Sequence, residues 1–210
     1  MSGIWGPLGW MTLHSISINY PESPNTSDVV ALNRFMDKFG ECITCPSCKD
    51  HFQGMFSTYK RYNPQWSSSR YELFLFVVRA HNSVNKRLDK PIIKTVADCI
   101  QTMKNNTIHN SFAIYRQKYI NHVIRNWNSF QDSSGFMMAS VARDMEFVNK
   151  SYWSLRETDI NTLVLPEADV VTSIVDTTMI PKSSEYGLSI YKNMNVRIGF
   201  KGGKLSLVGR

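Results

Sequence analysis

Cys42, Cys45 and Cys48 stand at strict three-residue spacing, so three of the four thiols in the chain fall within seven residues. Sulfur that dense serves as a redox disulfide, a zinc ligand set or an iron–sulfur nest. Its plain alternative is a set of small buried hydrophobes. The cluster also fixes local structure. Pro46 suits the first turn of a helix, and Phe52, Met55, Phe56 and Tyr59 follow at i, i+3, i+4 and i+7, the spacing of one helical face.

Cys45 and Cys48 therefore sit where a helix begins. Unpaired backbone N–H groups and the helix dipole favour thiolate there, as thiol–disulfide exchange requires. The metal reading uses Cys42, Cys45, Cys48 and His51 as zinc or iron–sulfur ligands of an interaction module. On one continuous helix these side chains form a row rather than a tetrahedron. Cys99 stands alone, and no fourth cysteine follows closely for a cluster.

Periodicity predicts a run of amphipathic helices over residues 4–104. The first opens at Gly6-Pro7. A second is capped at Ser27/Asp28 and carries Leu32, Phe35, Met36 and Phe39. The third starts at the cysteines and stops at Asn63-Pro64. Ser68 or Ser69 caps a fourth, which Lys90-Pro91 breaks, and Ile93, Val96, Ala97 and Ile100 suggest a fifth. Short links between four to five such helices point to an all-α bundle spanning 1–106. Residues 107–135 read as a connecting helix and linker.

From 136 to 210 the texture changes. A helix near Met137–Tyr152 precedes β-branched runs at Thr162–Leu165 and Val170–Thr177. Alternation on either side of Gly202-Gly203 then marks a β-hairpin. We expect a small α+β domain there, without a chemical constellation of its own.

Charge narrows the function classes. The net charge is +7, divided +4 over residues 1–106 and +3 over 107–210, with no basic stripe. A nucleic-acid partner needs a concentrated footprint, so none is expected. The N-terminal residues carry neither a basic n-region nor an apolar h-region, and the longest apolar run, Leu73–Val78, is too short to span a bilayer. The expectation is that residues 1–210 are soluble, with no membrane-spanning segment among them.

Two further segments bear on the choice. His81-Asn82-Ser83-Val84-Asn85 sets His81 and Asn85 one turn apart on an otherwise apolar helix, with Lys86, Leu88 and Lys90 beyond. Polar groups on such a face need partners, and a planar heterocycle with phosphates would supply them. Trp5-Gly-Pro-Leu-Gly-Trp10-Met-Thr-Leu-His14 adds aromatic faces and a second imidazole.

Together the three segments resemble the Erv/ALR family of FAD-linked sulfhydryl oxidases over roughly residues 4–95. The pattern is Trp-Gly-Pro with Trp10 and His14, then Cys45-x-x-Cys48 with Phe52, then His81-Asn82-x-Val84-Asn85 with Leu88 and Lys90-Pro91. The resemblance implies a helical bundle holding FAD, and catalytic Cys45 and Cys48, with Cys48 nearer the flavin and Cys45 facing substrate. Gly6, Trp10, His14, Phe52, His81, Asn82, Val84, Asn85, Lys86, Leu88 and Lys90 would line the cofactor. It further implies protein dithiol substrates, O2 as acceptor with H2O2 as product, and a homodimer. The divergence elsewhere resembles members that large DNA viruses carry, which puts the protein in host cytoplasm, at a viral assembly site or in the virion.

Val78 and Thr95 stand where many members place a structural cysteine pair, and the family's separate shuttle pair is missing. Cys42 and Cys99 are left as free thiols, as a bridge, or, for Cys42, as an internal relay from substrate.

Overall fold

The computed structural model describes residues 5–172 and the backbone of two strands, 197–201 and 204–208. It divides into two units, residues 1–174 and 175–210, which are described separately.

Among the described residues the first unit holds seven helices: α1 (Trp5–Asn19), α2 (Thr26–Glu41), α3 (Pro46–Tyr62), α4 (Arg70–Arg87), α5 (Val96–Thr107), α6 (Phe112–Asn128) and α7 (Ser133–Ser151). Helix α1 is the axis. Every residue from Met11 to Tyr20 is buried, the signature of a helix surrounded on all sides. It packs on α4 and on α6, and α6 and α2 both pack on α7. Gly9 permits the closest approach, because a Cβ there would lie 3.3 Å from Tyr119 Cε2 on α6.

The helix starts follow side-chain chemistry. Asn25 accepts from Asp28 N while Asp28 accepts from Asn25 N, a full capping box that places the start of α2 two to three residues earlier than Ser27/Asp28. Ser69, Thr95, Ser111 and Asp132 cap α4, α5, α6 and α7.

The bundle extends well beyond residue 106, and among the described residues the stretch from 136 to 172 continues as bundle helix and covering segment. Helix α7 turns Ala139, Ala142, Met145 and Val148 inward and belongs to the bundle. Among the described residues, Thr162–Leu165 forms no strand; residues 173–177 of the second β-branched run lie outside them. After a 3-10 turn at Trp153–Leu155, residues 156–172 run as an extended strap. Alternation of Leu163 in, Val164 out and Leu165 in suits a strap across helices as well as it suits a strand. Ile160, Leu163, Leu165 and Val170 enter one core cluster with Met11, Ile18, Phe74, Val78, Val96, Cys99 and Ile100.

Polar ties fasten this strap. Both carboxylate oxygens of Glu167 accept from the N–H groups of Val96 and Ala97 at the start of α5, at 3.0 and 2.9 Å, where a helix N-terminus favours an anion. Arg79 donates to Asp169 O, and Asn19 Oδ1 accepts from Thr158 N. Deeper in, buried Arg116 donates to Asn149 Oδ1, Ser15 Oγ and Trp153 O, so one cation joins α6, α7, α1 and the 3-10 turn.

In the second unit, β1 (Arg197–Lys201) pairs antiparallel with β2 (Lys204–Val208), in the register Phe200↔Leu205 and Lys201↔Lys204. This is the hairpin expected around residues 202–203.

Candidate functional site

Cys45 is the N-cap of α3, with extended backbone, and Pro46 occupies the first helical position. Cys48 completes the first turn. Its N–H donates to Cys45 Sγ at 3.3 Å, and the two sulfurs are joined as a disulfide. Both cysteines are half-buried, and Cys45 Sγ also meets the Ser47 hydroxyl at 3.4 Å on the exposed side. One turn on, buried Phe52 rests between Phe39 and Phe56 and lines a cavity of about 200 Å³ between α2 and α3. Burial lowers the His51 pKa, and Arg87 at the end of α4 adds to it.

Helices α1 and α4 supply a second group of the candidate residues. His14 Nε2 lies 3.0 Å from His81 Nδ1, and the His81 ring stacks on Trp10 with centroids 4.3 Å apart and planes within 10°. His14 is fully buried, whereas His81 and Trp10 are half-buried. Burial lowers both imidazole pKa values. For His14 the neighbouring His81 adds to it, and His81 falls to about 4 with help from Lys90. Both rings are neutral at pH 7.

The remaining α4 residues separate into two groups. Asn82 is buried and held by three hydrogen bonds from protein: Nδ2 donates to Ile93 O at 2.8 Å and to Val170 O at 2.7 Å, while Oδ1 accepts from Ile93 N at 2.8 Å. It organises the loop after α4 and anchors the strap. Asn85 does similar work closer to the surface. Its side-chain Nδ2 donates to Pro91 O and its backbone carbonyl accepts from Lys90 N, closing a turn in which Asp89 takes a left-handed φ of 53°. Val84 is half-buried, and Lys86, Leu88 and Lys90 are exposed. A Cβ at Gly6 would meet nothing within 4 Å, so protein packing does not require glycine there.

The two remaining cysteines are buried and free. Cys42 Sγ lies 3.9 Å from Met138 O, and Trp127 Nε1 donates to Cys42 O, both groups coming from the α6–α7 pair. Cys99 Sγ lies 3.8 Å from His14 Nδ1. Burial pushes both thiols up to about 12, aided by Glu41 at Cys42 and by Asp98 at Cys99. The two are therefore not bridged, and Cys42, Cys45, Cys48 and His51 do not converge on one point. Sequence reasoning left Cys99 without a role. Its inward position was visible in the Val96, Cys99, Ile100, Met103 stripe, but its histidine neighbour was not.

Residues 8–110, which include every one of these site residues except Gly6, match the Erv1/Alr family profile. A relative from Invertebrate iridescent virus 6 is 32% identical over 93 residues, which cover 43% of this chain and 84% of that protein. The chain belongs to the Erv1/Alr family. A relative from Invertebrate iridescent virus 3 is 34% identical over 89 residues, covering 42% of this chain and 58% of that one. The mitochondrial protein ERV1 of Saccharomyces cerevisiae is 34% identical over 86 residues, 41% of this chain and 43% of its own length. The names of all three include "FAD-linked sulfhydryl oxidase". No solved structure matches the chain. Within this Erv1/Alr chain, α6, α7 and the whole strap lie outside the matched segment, yet they cover its helices. Among the described residues no helix is long and apolar enough to cross a membrane.

Proposed function

We propose that this protein is an FAD-linked sulfhydryl oxidase that converts protein dithiols to disulfides, with O2 as the final acceptor and H2O2 as product. One observation carries the reading: a half-buried disulfide at a helix N-terminus shares a family-matched segment with the Trp10–His81–His14 assembly.

The residues present suit a flavin dinucleotide. Trp10 and His81 form a flat, half-buried face, and neither Trp10 Nε1 nor His81 Nε2 is engaged by another described residue. Gly6 borders open space on the same helix as Trp10. Trp10, His81 and Asn85 would hold the group, with His14 backing His81 from the core, and Lys90 would face its phosphates. Asn82 contributes less to that set, because both its amide N–H groups are taken by Ile93 O and Val170 O and Oδ1 keeps one acceptor direction. Bound FAD supplies a two-electron acceptor that O2 reoxidises with release of H2O2.

Exchange at the disulfide follows from the chain itself. A substrate thiolate attacks Cys45 Sγ, forming a mixed disulfide and releasing Cys48 as the leaving thiolate. The second substrate thiolate attacks the substrate sulfur of that mixed disulfide. The substrate leaves as a disulfide, and Cys45 is released with the electron pair. Cys45 is suited to this part: as N-cap it lies outside the helix body, with Cys48 N–H donating to its sulfur.

The proposal extends to a homodimer and to host cytoplasm or a viral assembly site, supported by the family and by its viral members. A pair would meet through surfaces other than those of α1 and α2 already covered by α6 and α7. Sedimentation would read the dimer, and fractionation of producing cells the compartment. The activity itself is tested by oxygen consumption and peroxide release with a reduced protein dithiol. Turnover should vanish in Cys45→Ser and in Cys48→Ser. Retained turnover in either variant would remove the pair from the chemistry.

A further inference from the structure

Cys99, His14 and His81 form one line from the core to the Trp10 face. Cys99 Sγ is 3.8 Å from His14 Nδ1, His14 Nε2 is 3.0 Å from His81 Nδ1, and His81 stacks on Trp10. The sulfur end is sealed among Met11, Val78, Val96 and Ile100. The far nitrogen, His81 Nε2, sits on the ring edge away from His14.

Neither imidazole is charged at neutral pH, since burial depresses both pKa values. A neutral imidazole carries one ring proton and offers one acceptor nitrogen. The line therefore has two self-consistent arrangements. In the first, the thiol donates to His14 Nδ1, His14 Nε2–H donates to His81 Nδ1, and His81 carries its own proton on Nε2. In the second every proton is reversed: His14 Nδ1–H points at sulfur, His81 Nδ1–H points at His14, and His81 Nε2 is a bare acceptor.

The thiol separates them. Burial keeps Cys99 protonated, and its Sγ meets no other acceptor among the described residues. A thioether or thiol sulfur is a weak acceptor, so the second arrangement aims a buried N–H at a poor partner and leaves the S–H unused. The first satisfies every group from the thiol to His81 Nδ1 and leaves only His81 Nε2–H to find a partner in the cofactor site.

We propose that Cys99 is a positioning residue that fixes the tautomers of His14 and His81, so that His81 presents Nε2–H to the cofactor site. What that N–H meets, an acceptor atom of the flavin dinucleotide, rests on the function proposed above; the tautomers themselves do not. Residues of similar size without a donor would fill the same core position, so the thiol hydrogen is the feature that matters.

The test is 15N-histidine NMR on the full chain as purified, with the His81 signals identified by their loss in His81→Asn. Protonated and bare ring nitrogens are read directly from long-range correlations. Wild type and Cys99→Ser, which keeps a donor, should both show His81 protonated at Nε2. Cys99→Val should shift population to the Nδ1–H form and weaken FAD binding about tenfold, the equilibrium worth of one hydrogen bond, with Cys99→Ser within about twofold of wild type. His81 protonated at Nδ1 in wild type would overturn the proposal, and so would unchanged tautomers in Cys99→Val. Should Cys99→Val fail to fold, the wild-type tautomer decides alone. The stated tautomers without any FAD binding would uphold the role of Cys99 and defeat the flavin reading instead.

Discussion

Asn82 Nδ2 donates to Val170 O at 2.7 Å, fastening the strap to α4 across 88 residues of sequence. The same amide holds both backbone polar groups of Ile93. One side chain thus fixes the loop after the His81–Asn85 turn and the covering segment together.

Asn82→Ala should therefore cost about 3 kcal/mol of stability, since it leaves buried N–H and C=O groups unpaired at about 1–3 kcal/mol each. Urea unfolding reads the loss, and hydrogen exchange should show faster exchange at Ile93 N–H. Asn82→Asp should cost a similar amount, because it keeps the acceptor for Ile93 N but loses both donors. A cost below about 1 kcal/mol would show that these bonds do not anchor the strap.

Acid should destabilise the fold through His14 and His81. Their folded pKa values lie below the unfolded value of 6.5, so the unfolded chain binds more protons in that range and stability rises with pH. The contribution is fully present above about 6.5 and is lost as pH falls towards about 4, the folded value for His81. For His81 alone this amounts to about 3 kcal/mol at most, and the paired rings titrate as a coupled unit. Urea midpoints between pH 7 and pH 4 should fall less steeply in His81→Asn than in wild type.

Cys42→Ala should leave turnover on protein dithiols and on dithiothreitol within about twofold of wild type, after a stability loss of about 1 kcal/mol for the buried sulfur. The thiol is fully buried beneath α7 and held protonated, whereas a relay must be an exposed thiolate. Selective loss of turnover on the protein substrate would restore the relay.

Arg116→Met should destabilise by about 3 kcal/mol. Replacing a buried ion pair with apolar groups is often neutral, but here the partners are Ser15, Asn149 and the Trp153 carbonyl, and all three would be left buried without their donor. Thermal unfolding followed by Trp fluorescence is the readout. A neutral substitution would mean that water replaces the guanidinium.

The disulfide at the start of α3 and the helices around it were legible because their signals are local: Pro46 at the first position, Phe52–Tyr59 at helical spacing, Ser69 before Glu72. Long-range partners leave no such trace. Leu163-Val164-Leu165 alternates as a strand does, and only the helices lying 60 to 90 residues earlier show that it is a strap. Asn82 illustrates the same limit within the site, since a buried amide looks alike in sequence whether it faces a ligand or a loop. That α7 joins the bundle left no trace in the sequence, because its partners α2 and α6 come from both sides of residue 106.

The visible absorbance spectrum of the purified protein under an anaerobic dithiothreitol titration tests the central claim most directly. The account predicts a flavin band that bleaches with added thiol and returns on admitting air, with H2O2 formed, and a Cys48→Ser variant that keeps the band but no longer bleaches. A protein that remains colourless after incubation with excess FAD, while its Cys45–Cys48 pair still forms a disulfide, would contradict it.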